Sequence, residues 1–263
     1  MKPLIFIVLF LLLGACGRFS FSPYVVDPKQ IDSNARNLSK LLAKPLTASS
    51  GHKEGVNFVV ISDTHDYYDG LEKQVRYINK NRDYYDFAVV SGDVSNVGLQ
   101  SELERSYEFL GRLKIPFFVV PGNHDLLIDG HEIFKAMFGK LSFSFDFGGA
   151  TFIFYNNNNW ESPGIVPDYN WVEEKAKDAR GAIVLISHVS PYDKDRFGSS
   201  DFERMEGLLN QYNIKVHING HDHNPGVKTV LNTPFVTVGS SSKGVILDVE
   251  VSKGEAVFVH KNI

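Results

Sequence analysis

The sequence predicts an α/β fold built on parallel strands, and three features of it lead there. Short runs rich in Val, Ile and Phe recur at 58–61, 87–90, 117–120, 183–186 and 216–218, each followed within three residues by a carboxylate, an asparagine or a histidine. Residues at helical intervals separate the first three runs. Asp63 to Asp93 is 30 residues and Asp93 to Asn123 another 30, about the length of a strand, a crossover helix and the next parallel strand. The first half therefore reads as βαβαβ.

Taken in order, Phe58 to Ile61 opens the domain as a continuous apolar strand. Leu71, Val75 and Ile78 then mark a helix, Phe87 to Val90 the next strand, and Leu103, Tyr107 and Leu110 a second helix. Ser101 and Glu104 form a capping box expected to begin that second helix. Strands follow at Phe117 to Val120, Phe152 to Tyr155, Ile183 to Ile186 and Val216 to Ile218. Pro234 to Val238, Val245 to Val251 and Ala256 to His260 complete a strand-rich C-terminal part.

The N-terminus is of a different kind. Lys2 precedes an apolar stretch from Leu4 to Leu13, about half the roughly 20 residues needed to span a bilayer, so residues 1–15 read as an export signal. Leu13-Gly14-Ala15-Cys16 resembles the bacterial lipobox, in which the signal is cut before a cysteine that is then acylated. Cys16 is the single cysteine of the chain, and lipid capping accounts for an unpaired thiol in an exported protein. Residues 16–55 are expected to act as a spacer, with a short helix near Ile31 to Ala43, ahead of one domain over 56–263. The expected location is the periplasmic face of an outer membrane or the outer face of a cell membrane. Lys and Arg number 27 against 31 Asp and Glu, and losing Lys2 makes the chain more acidic still. That balance disfavours a nucleic acid polymer as partner and leaves small phosphate esters open.

Five blocks carry the chemistry: Asp63-Thr64-His65, Gly92-Asp93, Gly122-Asn123-His124-Asp125, His188 and Gly220-His221-Asp222-His223. Each follows a predicted strand, so their side chains can converge on one sheet edge. In extended backbone, residues i and i+2 point the same way, which is expected to present Asp63 with His65, and His221 with His223, to one ion. Imidazole nitrogen and carboxylate oxygen suit Mn, Fe or Zn better than Ca or Mg. Six or seven such ligands are too many for one ion, and two ions about 3.5 to 4 Å apart with a bridging carboxylate would use them all. His52, His131, His217 and His260 have no motif support, and His217 reads as structural.

The ordered set DxH, GD, GNHD, H and GHxH resembles that of the calcineurin-like metallophosphoesterase family, all five blocks falling within residues 58–223. The resemblance implies a four-layer αββα sandwich with two mixed β-sheets. It implies one metal on Asp63, His65 and His223, a second on Asn123, His188 and His221, and Asp93 as the bridge. It further implies His124 beside the scissile phosphate as a catalytic group and a metal-bridging hydroxide as nucleophile. The function so implied is a dinuclear-metal phosphohydrolase, with two divalent or trivalent transition-metal ions as cofactors.

This chain also departs from the family. Phosphoprotein-hydrolysing members resemble one another in an Asp-Arg pair three residues beyond the bridge, where this chain has Asn96-Val97, which takes away His124's charged partner and a monoester-gripping arginine. A phosphodiesterase acting on a small nucleotide or lipid-derived diester is therefore expected, with a phosphate-scavenging phosphomonoesterase or a non-catalytic metal-binding surface lipoprotein as alternatives. Asn96, Tyr67, Tyr68 and Trp160 are the candidate substrate contacts, the last following the polar run Asn156 to Asn159.

Overall fold

Residues 54–263 are described in a computed structural model; the expected export signal, Cys16 and the expected spacer helix lie outside them. In one sheet, β1 (Val56–Ile61), β2 (Phe87–Val90) and β3 (Phe117–Val119) run parallel. β10 (Val245–Ser252) pairs antiparallel with β1, and β11 (Glu255–Asn262) antiparallel with β10 at the edge. In the other sheet, β5 (Ala150–Phe154), β6 (Ala182–Ile186), β7 (Ile214–Asn219) and β9 (Thr233–Thr237) run parallel. Its two edges are β4 (Phe143–Phe147) and β8 (Gly226–Val230), each an antiparallel partner of its neighbour.

Three apolar layers hold these sheets between helices, as the four-layer expectation requires. Alternation along each strand decides which layer a side chain joins. β1 sends Val59 and Ile61 outward against α1 (Tyr68–Lys80), α2 (Gln100–Leu110) and α3 (Gly130–Phe138). Its Phe58 and Val60 point inward to a layer shared with Phe152, Val184 and Val216 of the second sheet. On the far side, Ile153 and Leu185 pack under α4 (Tyr169–Asp178) and α5 (Ser199–Gln211). The inner layer is rich in phenylalanine: Phe87 stacks on Phe58 at 5.1 Å and meets Phe118, Phe145 and Phe152 edge-on.

The start of α2 differs from the expected capping box. The helix begins at Gln100, and it is Glu102 whose carboxylate accepts from the Val97 and Leu99 N–H groups. Glu104, one turn in, is instead taken by the Gln100 side chain. The acid nearest the free N–H groups wins because those groups lie in the first turn.

Candidate metal centre

All five blocks lie just beyond the C-terminal ends of parallel strands, Asp63, Asp93 and Asn123 after β1, β2 and β3, and His188, His221 and His223 after β6 and β7. Both sheets therefore deliver their loops to one edge. The backbone there is not the extended continuation that alternation predicts: Asp63, His65, Asp93, His221 and His223 all have positive φ, between 41° and 73°. Left-handed backbone is uncommon outside glycine, and Asp and His are among the side chains that adopt it most readily; five such residues at one edge mark a place where the loops turn sharply to aim side chains at a common point.

Two glycines of the motifs are required by close approach. A Cβ on Gly122 would lie 2.0 Å from Asp93 Oδ1, and one on Gly220 2.0 Å from Ser62 Oγ. The ligand loops interlock so closely that no side chain fits at either position.

Two donor groups result, each with ligand atoms within 4.8 Å of one another: Asp63, His65, Asp93 and His223, and Asp93, His188 and His221. Asp93 belongs to both. Its Oδ2 lies 3.6 Å from His65 Nε2 and 3.2 Å from His188 Nε2, while Oδ1 accepts from the His124 N–H. Asn123 Oδ1 stands 3.1 Å from His188 Nε2, which adds it to the second group. His65 Nδ1 faces the Ser95 carbonyl and His188 Nδ1 the Ser91 carbonyl, so the proton of each neutral ring sits there and Nε2 offers its lone pair to the cluster. His65 Nε2 lies 3.3 Å from His223 Nε2, an approach that a shared cation turns from repulsion to attraction. This donor set fits two transition-metal ions.

Electrostatics agree with a site made for positive charge. Burial alone would raise the Asp93 carboxyl, but the imidazoles of His188 and His65 outweigh it and hold that group far below the ordinary range. His188 shows the converse: burial disfavours its charge, yet the Asp93 and Asp63 carboxylates push it up. Asp125 is raised by burial and then by the Asp93 charge; Ser95 and Gly122 donate to it, and it ties their two loops together.

His124 sits beside this cluster, its ring edge-on to His65 at 4.9 Å. The charged partner missing from position 96 is replaced by main chain: His124 Nδ1 donates to the Asn96 carbonyl oxygen at 2.5 Å. A carbonyl only accepts, so the proton sits on Nδ1 and Nε2 is left to exchange one with a ligand.

The other candidates divide. Tyr67 is exposed and edge-on to His65 at 6.0 Å, beside a cavity of about 550 Å³ that Asp66, Lys73 and Lys243 also line. Tyr68 instead stacks on Phe109 at 5.3 Å and packs against the helical layer. Trp160 is exposed, with the Arg196 guanidinium 4.2 Å from its ring centre. Arg196 in turn binds both carboxylate oxygens of Glu161. The asparagine run is neither a set of outward donors nor a surface loop. Asn157 clamps Val189 through both its N–H and its carbonyl, and Asn158 donates to the Pro121 carbonyl. Both asparagines are buried and brace the loops that carry His188 and Asn123. Four consecutive asparagines after a strand were the available signal, since buried carboxamides must find partners. His217 is buried and structural, Nε2 lying near Tyr155 Oη and Ser187 Oγ.

Residues 56–225 match the family described as calcineurin-like phosphoesterase. Among curated proteins, the glycerophosphodiester phosphodiesterase GpdQ of Enterobacter lignolyticus is 41% identical over 51 residues, which is 19% of this chain and 18% of that protein. Among solved structures, GAP50, the anchor in the inner membrane complex of Plasmodium, aligns with a TM-score of 0.61 at 17% identity, over 80% of this chain and 85% of its own. The purple acid phosphatase PPD1 of yellow lupin (Lupinus luteus) aligns with a TM-score of 0.67 at 14% identity, over 81% of this chain and 52% of its own. An anchor and a phosphatase thus share this fold, and function has to be argued from the site.

Proposed function

Because the chain belongs to the calcineurin-like phosphoesterase family, we propose that it is a metal-dependent phosphoric ester hydrolase, and within that class a phosphodiesterase acting on small esters. The observation that carries this reading is Asp93 shared between two donor groups with His124 fixed beside them. Asp63, His65 and His223 would hold one cation, and Asn123, His188 and His221 the other. Cations so held supply Lewis acidity at phosphorus and make water a nucleophile near neutral pH.

The residues of this chain do the rest. His188 and His65, oriented by main-chain carbonyls, keep their lone pairs on the cluster. His124 Nε2 delivers a proton to the departing alkoxide, and the Asn96 carbonyl stabilises the imidazolium that precedes the transfer. Diester preference is supported by the arginine absent from position 97 and by Arg196, whose charge is engaged by Glu161. The short match to a glycerophosphodiester phosphodiesterase points the same way. Export and an acyl anchor on Cys16 belong to the same proposal and rest on the lipobox-like Leu13-Gly14-Ala15-Cys16.

Purified protein supplied with Mn is expected to hydrolyse bis-para-nitrophenyl phosphate faster than para-nitrophenyl phosphate. Asp93→Asn should abolish turnover together with metal binding, and His124→Ala should lower kcat at least 100-fold while metal stays bound. Faster turnover of the monoester would replace the diesterase assignment by a phosphomonoesterase. Folded, metal-loaded protein inert to a panel of nucleotides, cyclic nucleotides, head-group esters and sugar phosphates would overturn the enzymatic reading.

A further inference from the structure

We propose that the loops beside His124 form a membrane-docking rim, which seats the catalytic edge on a lipid bilayer so that the ester hydrolysed is one carried by a membrane lipid. This rests on the hydrolase reading above for the ester and on geometry for the docking. Val97, Ile128, Trp160 and Ile165 are 37%, 55%, 64% and 86% exposed, and all lie on loops at the catalytic edge.

Contacts join these loops into one wall. The Asn96 carbonyl accepts a hydrogen bond from His124 Nδ1–H, and a Cβ on Gly98 would lie 2.5 Å from the Leu127 carbonyl oxygen, so residues 96–98 press on the loop carrying Ile128. His131 Nε2 meets the Glu161 carbonyl at 3.0 Å, tying that loop to the one carrying Trp160. Glu161 and Asn159 both hold Arg196, whose loop continues to Asp193, 3.9 Å from His221. Ile128 is also a β-branched residue at φ 53°, a conformation that turns an apolar side chain toward water at the lip of the site.

The chemistry of this rim selects the occupant. Stretches 96–99, 127–131 and 159–166 contain no lysine or arginine, and their ionisable groups are Asp129, His131 and Glu161. The cation against these stretches, Arg196 under the Trp160 ring, has its side chain buried and neutralised by Glu161, which leaves little to hold a polyanion. Branched aliphatic side chains around an exposed tryptophan suit the boundary between head groups and acyl chains. Reach permits it. β1 enters from the edge opposite the site, and its six residues span about 20 Å. Cys16 lies 38 residues before Glu54, a length that can extend to at most about 130 Å. A domain anchored at Cys16 can therefore turn its rim to the membrane that holds it.

The two tryptophans make the test. Trp171 lies on α4, against the outer face of the second sheet. The full, anchored chain would be placed on vesicles of phosphatidylcholine with brominated acyl chains, once as Trp171→Phe and once as Trp160→Phe. Emission from Trp160 should fall by about half while that from Trp171 stays unchanged. Equal quenching of both, or of neither, overturns docking; so does a Trp160 signal that changes only with protein concentration, which would assign the rim to a second copy. Ile128→Ser and Ile165→Ser should each lower, about tenfold, the ratio of turnover on a vesicle-borne phosphodiester to turnover on bis-para-nitrophenyl phosphate; an unchanged ratio overturns the lipid substrate. If neither ester is hydrolysed by the unaltered protein, the catalytic reading falls and the quenching result still decides docking.

Discussion

A single buried ring makes the chain's stability depend on pH. His217 is fully buried without a counter-ion, and burial pushes its pKa down to about 3. Its value in the unfolded chain is near 6.5. Stability from the neutral ring is therefore complete above about pH 6.5 and is lost as pH falls toward 3, with a slope of up to about 1.4 kcal/mol per pH unit from this group. Urea unfolding at pH 7 and pH 5 should show the loss, and His217→Gln should reduce it. At the same scale, Gly122→Ala should weaken metal affinity at least tenfold, measured by titration calorimetry, because its Cβ would displace the Asp93 carboxylate. The ligand types were readable from the motifs, whereas the left-handed backbone at Asp63, His65 and His221 was not. It arises from contacts between loops 28 to 158 residues apart, such as the His65 N–H to the Asp93 carbonyl and the His221 N–H to Asp63.

Among the elements, the strands that carry ligands were the most legible, since residues 58–61 of β1, β2 and β6 are unbroken apolar runs, each closed by a serine. Less legible were β8, whose residues are mostly exposed, and α3, where Gly130 and Asp129 give no strong start signal. The capping of α2 was misplaced by two residues because two acids, Glu102 and Glu104, compete for the role and only geometry chooses. The asparagine run belongs here too: what it braces is set by tertiary contacts to Pro121 and Val189. The inner phenylalanine layer is the element-scale source of rigidity. Phe87→Ala, which removes a fully buried ring touching five other phenylalanines, should destabilise by about 3 to 5 kcal/mol in denaturant unfolding.

For the whole molecule, the donors come from both halves of the sandwich: Asp63, His65, Asp93 and Asn123 from one sheet, His188, His221 and His223 from the other. Cations held between them would link the sheets in the folded state alone. Saturating Mn, at about 100 times its dissociation constant, should therefore stabilise the protein by about 2.7 kcal/mol for each ion bound. A chelator should reverse the rise in melting temperature, and Asp93→Asn should show none. The parallel α/β half was visible in the 30-residue spacing; the division into two mixed sheets entered through the resemblance of the ordered motif set and is borne out in the two strand orders.

On the proposed mechanism, a proton donor steered by main chain rather than by a neighbouring carboxylate has an evolutionary corollary. Since the Asn96 peptide oxygen orients the His124 imidazole, the identity of the side chain at that position is released from the acid–base step. Selection can then vary that side chain to suit different esters, one mutation at a time, without each change first having to restore a working donor.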